Sequence, residues 1–160
     1  LGEPATVLAA GVVMPAMGYL CMQGGLDLEF LALTPALMGY GAFFILSVEM
    51  PDRDADLQGG KRNLLVRAGL EKGIWAACLA TAWSSANLFL LATISFGSVD
   101  LLPLAVLSLL PLFAGLLGLR VRVDDRSMLI AQVKVNFAAL LSFVFLADAY
   151  LVWWLWAPVQ

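Results

Sequence analysis

Between Glu49 and Gly69 the chain reads EMPDRDADLQGGKRNLLVRAG, its densest run of ionisable side chains. On a helix, Glu49, Asp52 and Asp56 fall at i, i+3 and i+7 and share a face, whereas Asp54 points elsewhere. Carboxylates four residues apart, as Asp52 and Asp56 are, repel by about 0.2–0.5 kcal/mol on an isolated helix, so the pair calls for a cation. Carboxylate oxygens on one face are a ligand set that Mg²⁺ accepts, usually alongside waters and substrate phosphates. Downstream, Gly59-Gly60 breaks the helix and can return the chain towards that face, carrying Lys61 and Arg62, with Arg67 further on. A carboxylate pair holding magnesium, with Lys and Arg nearby at the mouth of a helical cavity, makes a diphosphate site. The same stretch also reads as a solvated loop, with Glu49, Asp52, Asp54, Asp56 and Glu71 balanced against Arg53, Lys61, Arg62, Arg67 and Lys72.

The elements that must carry this stretch are membrane helices. Of 160 residues, 62% are hydrophobic and 13% charged, and the mean hydropathy is +0.91, far from the composition of a soluble domain. Uncharged runs predict an all-α integral membrane fold of about five transmembrane helices, at about 4–26, 28–49, 73–98, 101–119 and 135–156, forming a single helical unit over 1–160. A net charge of −3 without a basic face excludes a nucleic-acid binder, and the absence of histidine removes imidazole-based triads and zinc sites.

Threading five segments in order puts all nine Lys and Arg residues in the 49–72 and 120–134 connections, so the positive-inside rule makes both cytoplasmic. Trp153, Trp154 and Trp156 then suit the outer interfacial belt. Cys21 and Cys78 are separated by much of the bilayer and are expected to stay free. Asp148 lies in mid-segment, where a charge costs about 2.5–3.5 kcal/mol, so it either lines a polar cavity or bonds to a neighbouring helix. Asn136, Ser84, Ser85 and Asn87 are expected to join helices by hydrogen bonds. Arg120, Arg122 and Arg126, interleaved with Asp124 and Asp125, read as a face for solvent and anionic lipid. The opening Leu1-Gly2-Glu3 has no basic stretch of the kind that begins a signal peptide. Lacking an initiating methionine, the chain is expected to be part of a longer product.

The segment from Glu49 to Gly69 resembles the second aspartate-rich motif of the UbiA superfamily of intramembrane polyprenyltransferases. It is most similar to the 1,4-dihydroxy-2-naphthoate polyprenyltransferase branch. Pro51, Asp52, Ala55, Asp56, Gly60, Lys61, Arg62, Leu64, Val66, Arg67 and Gly69 agree with that motif. Asp54 replaces a Glu, Asn63 stands where the branch has Thr, and Glu49 lies near the position of an Asn/Glu pair. Gly2-Glu3 also resembles the Gly-Glu that opens the helix preceding the motif. Five segments would correspond to the last five of the family's nine-helix bundle. The first motif, N-D-x-x-D, is absent from this sequence, which therefore holds about half the site and calls for a missing N-terminal half.

The resemblance implies transfer of a polyprenyl group from polyprenyl diphosphate to an aromatic acceptor in the bacterial inner membrane. Mg²⁺ would be held by Asp52 and Asp56, with Glu49 as a further ligand, and the released diphosphate by Lys61, Arg62 and Arg67. A naphthoate acceptor would place the reaction in menaquinone biosynthesis; a (bacterio)chlorophyllide is the sister acceptor. The alternative class is a non-catalytic UbiA-like subunit binding lipid, quinone or pigment in a larger membrane complex, such as a photosynthetic or respiratory one.

Overall fold

The computed structural model describes residues 2–156, and these are helical apart from short connections. Helix α1 (Gly2–Gln23) contains one widened π turn, Ala9–Val13, immediately ahead of Pro15. A proline has no N–H to give the preceding turn, and a locally wider register is one way a helix absorbs that loss. Gly24, at φ +74°, ends α1 in the left-handed region. Asp27 then caps α2 (Leu28–Glu49), accepting from the Phe30 amide at 2.9 Å. Pro35 inside α2 cannot serve the Leu31 carbonyl, and the Thr34 hydroxyl donates to it instead at 2.7 Å.

Two short helices follow, α3 (Arg53–Gln58) and α4 (Leu64–Ala68), and then the long α5 (Leu70–Thr93). The apolar stretch expected at 101–119 is divided into α6 (Leu102–Leu107) and α7 (Leu109–Gly118), and α8 (Arg126–Trp156) closes the fold. The break at Ser108 lies three residues before Pro111, whose missing N–H cannot bond the Leu107 carbonyl. Among the described residues, four helices are long and apolar enough to cross a membrane: α1, α2, α5 and α8. The α6–α7 stretch, Leu102–Gly118, is apolar but shorter.

Segment boundaries differ from those read off the uncharged runs. Helix α8 begins at Arg126 rather than near 135, and α5 at Leu70 rather than 73, because charge limits burial in lipid but not helix formation. Asp125 sets the α8 start: one carboxylate oxygen accepts from the Ser127 amide at 2.9 Å, its hydroxyl at 2.7 Å and the Met128 amide at 3.2 Å. The Ser127 hydroxyl, with these amides, holds the Asp125 carboxyl below its usual range. A carboxyl lowered in the fold stabilises above its unfolded pKa, and that contribution is lost as pH falls through the folded value. Asp125→Ala is expected to speed hydrogen exchange at the Ser127 and Met128 amides at neutral pH without changing the α8 interior. Unchanged exchange would mean that another group caps the helix.

Helices α2 and α5 form the most extensive contact in the bundle. Phe43, Leu46 and Met50 of the α2 end pack with Leu65, Ile74, Ala77, Ala114 and Leu129 in the main buried cluster. Buried polar groups tie the helices together as expected for three of four residues. Asn136 donates to the Ser47 hydroxyl at 2.9 Å and accepts from Gln132 at 2.7 Å, while Gln132 also donates to the Ala114 carbonyl at 2.8 Å. Ser84 donates to the Ala36 carbonyl at 2.8 Å and Ser85 to the Ser108 carbonyl at 3.1 Å. The Asn87 carbonyl oxygen is buried without a partner among the described residues. Both cysteines are free.

Candidate functional site

The ionisable stretch sits where α2 leaves the bundle. Met50 (φ −54°, ψ −49°) and Asp52 (φ −93°, ψ −5°) keep nearly helical dihedrals, so α3 continues from α2 with only a slight break. Glu49, Asp52 and Asp56 all lie at this end of the bundle, Asp52 exposed and Asp56 buried. Gly60, at φ +72°, then reverses the chain: its amide donates to Leu57 at 3.2 Å and the Lys61 amide to Asp56 at 2.9 Å. These two bonds make a Schellman motif, which needs a residue at ease in the left-handed region. Its result is to fold Lys61 back over α3.

Asp56 is the buried member of the set, 7% exposed. One of its oxygens accepts from Lys61 Nζ at 2.6 Å and the other from Asn63 Nδ2 at 2.8 Å. The hydrogen bond and charge of Asp56, with the carboxylates of Asp52 and Glu49 further off, hold the Lys61 ammonium above its usual range. A cation raised in this way contributes fully below its unfolded pKa and loses that contribution only as pH rises through the folded value. The Lys61 ammonium is therefore charged at neutral pH.

Glu49, at the end of α2, lies in electrostatic range of Glu3, Asp56 and Lys61, and its Oε2 is buried without a hydrogen-bond partner among the described residues. Glu3 reaches across from the first turn of α1 to accept from the Leu64 amide, joining α1 to the start of α4. Asn63 caps α4, its Oδ1 accepting from the Val66 amide at 2.8 Å. Leu65 of the same short helix is fully buried and seats against Gly73, where a Cβ would collide with its side chain.

Asp52 is exposed and opens on a cleft of about 640 Å³. That cleft is lined by both charged connections, including Arg53, Asp54, Glu71 and Lys72 on one side and Asp124 and Arg126 on the other. The two connections thus occupy the same end of the bundle. Ser98 donates to Glu29 at 3.3 Å, which likewise brings the two connections without Lys or Arg together at the opposite end. Asp54 is exposed and paired with its neighbour Arg53 at 2.9 Å.

Lys61 is thus brought to the carboxylates, whereas Arg62 and Arg67 are exposed and form no ion pair among the described residues. Asp148 is exposed on α8, beside the similarly exposed Phe145 and Val152. Sequence reasoning passed over two residues of the site. Asn63 was visible as a polar residue ahead of Leu-Leu-Val, an N-cap signal, but nothing local indicated its bond to Asp56. Glu3 lies 61 residues from its partner, beyond any local pattern.

The arrangement is a carboxylate and cation cluster at the end of an apolar bundle. The model of the UbiA prenyltransferase family matches residues 4–143. The chain belongs to the UbiA prenyltransferase family. No curated protein and no solved structure matches it. The UbiA match covers α1 through most of α8, so the carboxylate cluster and the apolar helices that carry it lie within one family unit. Membership, with the apolar helices, makes this an integral membrane protein of a prenyltransferase family.

Two carboxylates at this end of the bundle have oxygens that could serve a hard divalent cation. Glu49 offers an unpartnered buried oxygen, and Asp52 an exposed carboxylate. Among the described residues no three His, Cys, Asp or Glu side chains converge on a metal-sized space. One or two carboxylates are what magnesium usually takes from a protein, with waters and phosphates completing its shell.

Proposed function

We propose that this chain transfers a polyprenyl group from polyprenyl diphosphate to 1,4-dihydroxy-2-naphthoate, a step of menaquinone biosynthesis in the bacterial inner membrane. The observation that carries the reading is the buried Asp56 carboxylate paired with Lys61 at the end of an apolar bundle, flanked by Glu49 and Asp52. Asp52, Asp56 and Glu49 would hold magnesium, which when bound neutralises the diphosphate and makes it a better leaving group. Lys61 carries the positive charge paired with Asp56 and is placed to offset negative charge as diphosphate departs, an electrostatic contribution that is large in such steps. Arg62 and Arg67, exposed and without ion pairs among the described residues, are free to bind phosphate oxygens. The apolar helices keep water from the allylic cation formed when the carbon–oxygen bond breaks.

Topology enters the same proposal. At about 1.5 Å per residue the α6–α7 stretch reaches roughly 25 Å, slightly short of a hydrocarbon core of about 30 Å. The shared cleft of the two charged connections supports a fifth crossing, since the chain must return between them, and the basic residues there support a cytoplasmic location.

The test is prenyl transfer in membranes containing the protein, with labelled polyprenyl diphosphate and either dihydroxynaphthoate or a chlorophyllide as acceptor. Magnesium-dependent labelling of the naphthoate alone is expected, and labelling of chlorophyllide alone would overturn the acceptor. Asp52→Ala is expected to reduce the rate strongly and Asp54→Ala only mildly, because the Asp54 carboxylate is already paired with its neighbour Arg53. Equal losses in both would mean that the cleft, rather than the Asp56 side, is where the carboxylates act.

A further inference from the structure

We infer that Asn63 is a positioning residue that fixes the Asp56 carboxylate for diphosphate binding, an inference that rests on the prenyl-transfer reading above. Asp56 belongs to a helix of six residues, and one of its two hydrogen-bond partners, Lys61, has a side chain 68% exposed on a flexible stem. Such a partner supplies charge but cannot by itself fix the carboxylate plane.

Asn63 can. Its Oδ1 is committed to the Val66 amide at 2.8 Å, and the other end of the same rigid carboxamide is thereby aimed at Asp56 Oδ2, also at 2.8 Å. Only one orientation of the amide satisfies both contacts, because the backbone N–H needs an acceptor and the carboxylate a donor. The frame behind Asn63 is firm. Leu65 anchors α4 in the main buried cluster, and Glu3 of α1 holds the Leu64 amide. The direction of the Asp56 carboxylate is therefore set by the packing of α4 on the bundle. Lys61 remains free to turn from Asp56 towards a diphosphate while the carboxylate stays in place.

Substitutions at Asn63 separate capping from positioning. Asn63→Asp keeps an acceptor for the Val66 amide, Asp being as good an N-cap as Asn, but removes the donor and sets a second carboxylate against Asp56. Asn63→Thr keeps a cap and offers a hydroxyl donor. Prenyl transfer by the protein in membranes, with farnesyl diphosphate as the varied substrate and dihydroxynaphthoate saturating, gives KM and kcat for each, and thermal denaturation in detergent gives the midpoint.

The expected result is a midpoint lowered only slightly for Asn63→Asp, by the second carboxylate, with KM raised about tenfold or more, a loss on the scale of one charge-assisted hydrogen bond. Asn63→Thr is expected to bring KM back to within about threefold. A wild-type KM in Asn63→Asp, with Asp56→Ala inactive, overturns the inference and leaves the prenyl-transfer reading standing. Losses in both Asn63 variants that follow a lowered midpoint also overturn it, since Asn63 would then be only a cap. Full activity in Asp56→Ala overturns the underlying reading itself.

Discussion

Asp56→Ala is expected to lower prenyl transfer by about 100-fold or more while the protein still inserts and folds. The size follows from what the side chain holds. Asp56 is buried, accepts from both Lys61 and Asn63, and lies in electrostatic range of Glu49, whose Oε2 has no hydrogen-bond partner among the described residues. Removing one preorganised electrostatic group from a site of this kind costs about 10²–10³ in rate. Truncation also leaves the Lys61 and Asn63 donors without their acceptor, so the geometry around the vacancy loosens as well. Insertion should survive, because Asp56 belongs to α3 and the membrane-crossing helices make no use of it. Labelled product formation, measured beside the amount of membrane-inserted protein, decides the matter. A rate within a fewfold of wild type would remove Asp56 from the reaction.

The second large effect is structural. Gly39→Ala is expected to destabilise the bundle, whereas Gly41→Ala two residues later is not. A Cβ at Gly39 would stand 2.7 Å from the Ala80 carbonyl of α5 and collide with the Ser84 hydroxyl, which itself donates to Ala36 and Ala80. Backbone cannot yield as a flexible side chain can, and overpacking of this kind costs about 1–3 kcal/mol. Alanine's higher helix propensity offsets at most about 1 kcal/mol of it. At Gly41 the nearest atoms, the Val7 carbonyl and Ala10 Cβ, are at 3.5 and 3.7 Å, ordinary contact distances. The propensity gain is then unopposed. Denaturation midpoints in detergent should fall for the first variant and hold or rise for the second; equal midpoints would mean that α2 and α5 are not in close contact there.

These glycines also show where local reading stops. Both stand among apolar residues of one helix, and small residues of this kind allow close approach of membrane helices. Nothing in the sequence distinguishes them. The difference arises only because Gly39 faces α5 and Gly41 faces α1.

What the sequence determined by itself is the apolar helices, the place where α2 gives way to charge, and the chain reversal at Gly59-Gly60. Each rests on interactions within a few residues: hydrophobic run length, carboxylates at helical spacing, a glycine at positive φ. Helices extend past the uncharged runs where capping outweighs charge, as at α8, whose start depends on Asp125 rather than on the last basic residue. The tertiary structure alone decided which ionisable groups meet. Lys61 reaches Asp56 while Arg62 and Arg67 stay exposed, Asn63 joins Asp56 to a seated α4, and Glu3 closes the cluster from another helix. Spacing along one chain gives the face a residue occupies, but the neighbour opposite that face is set by how helices distant in sequence pack.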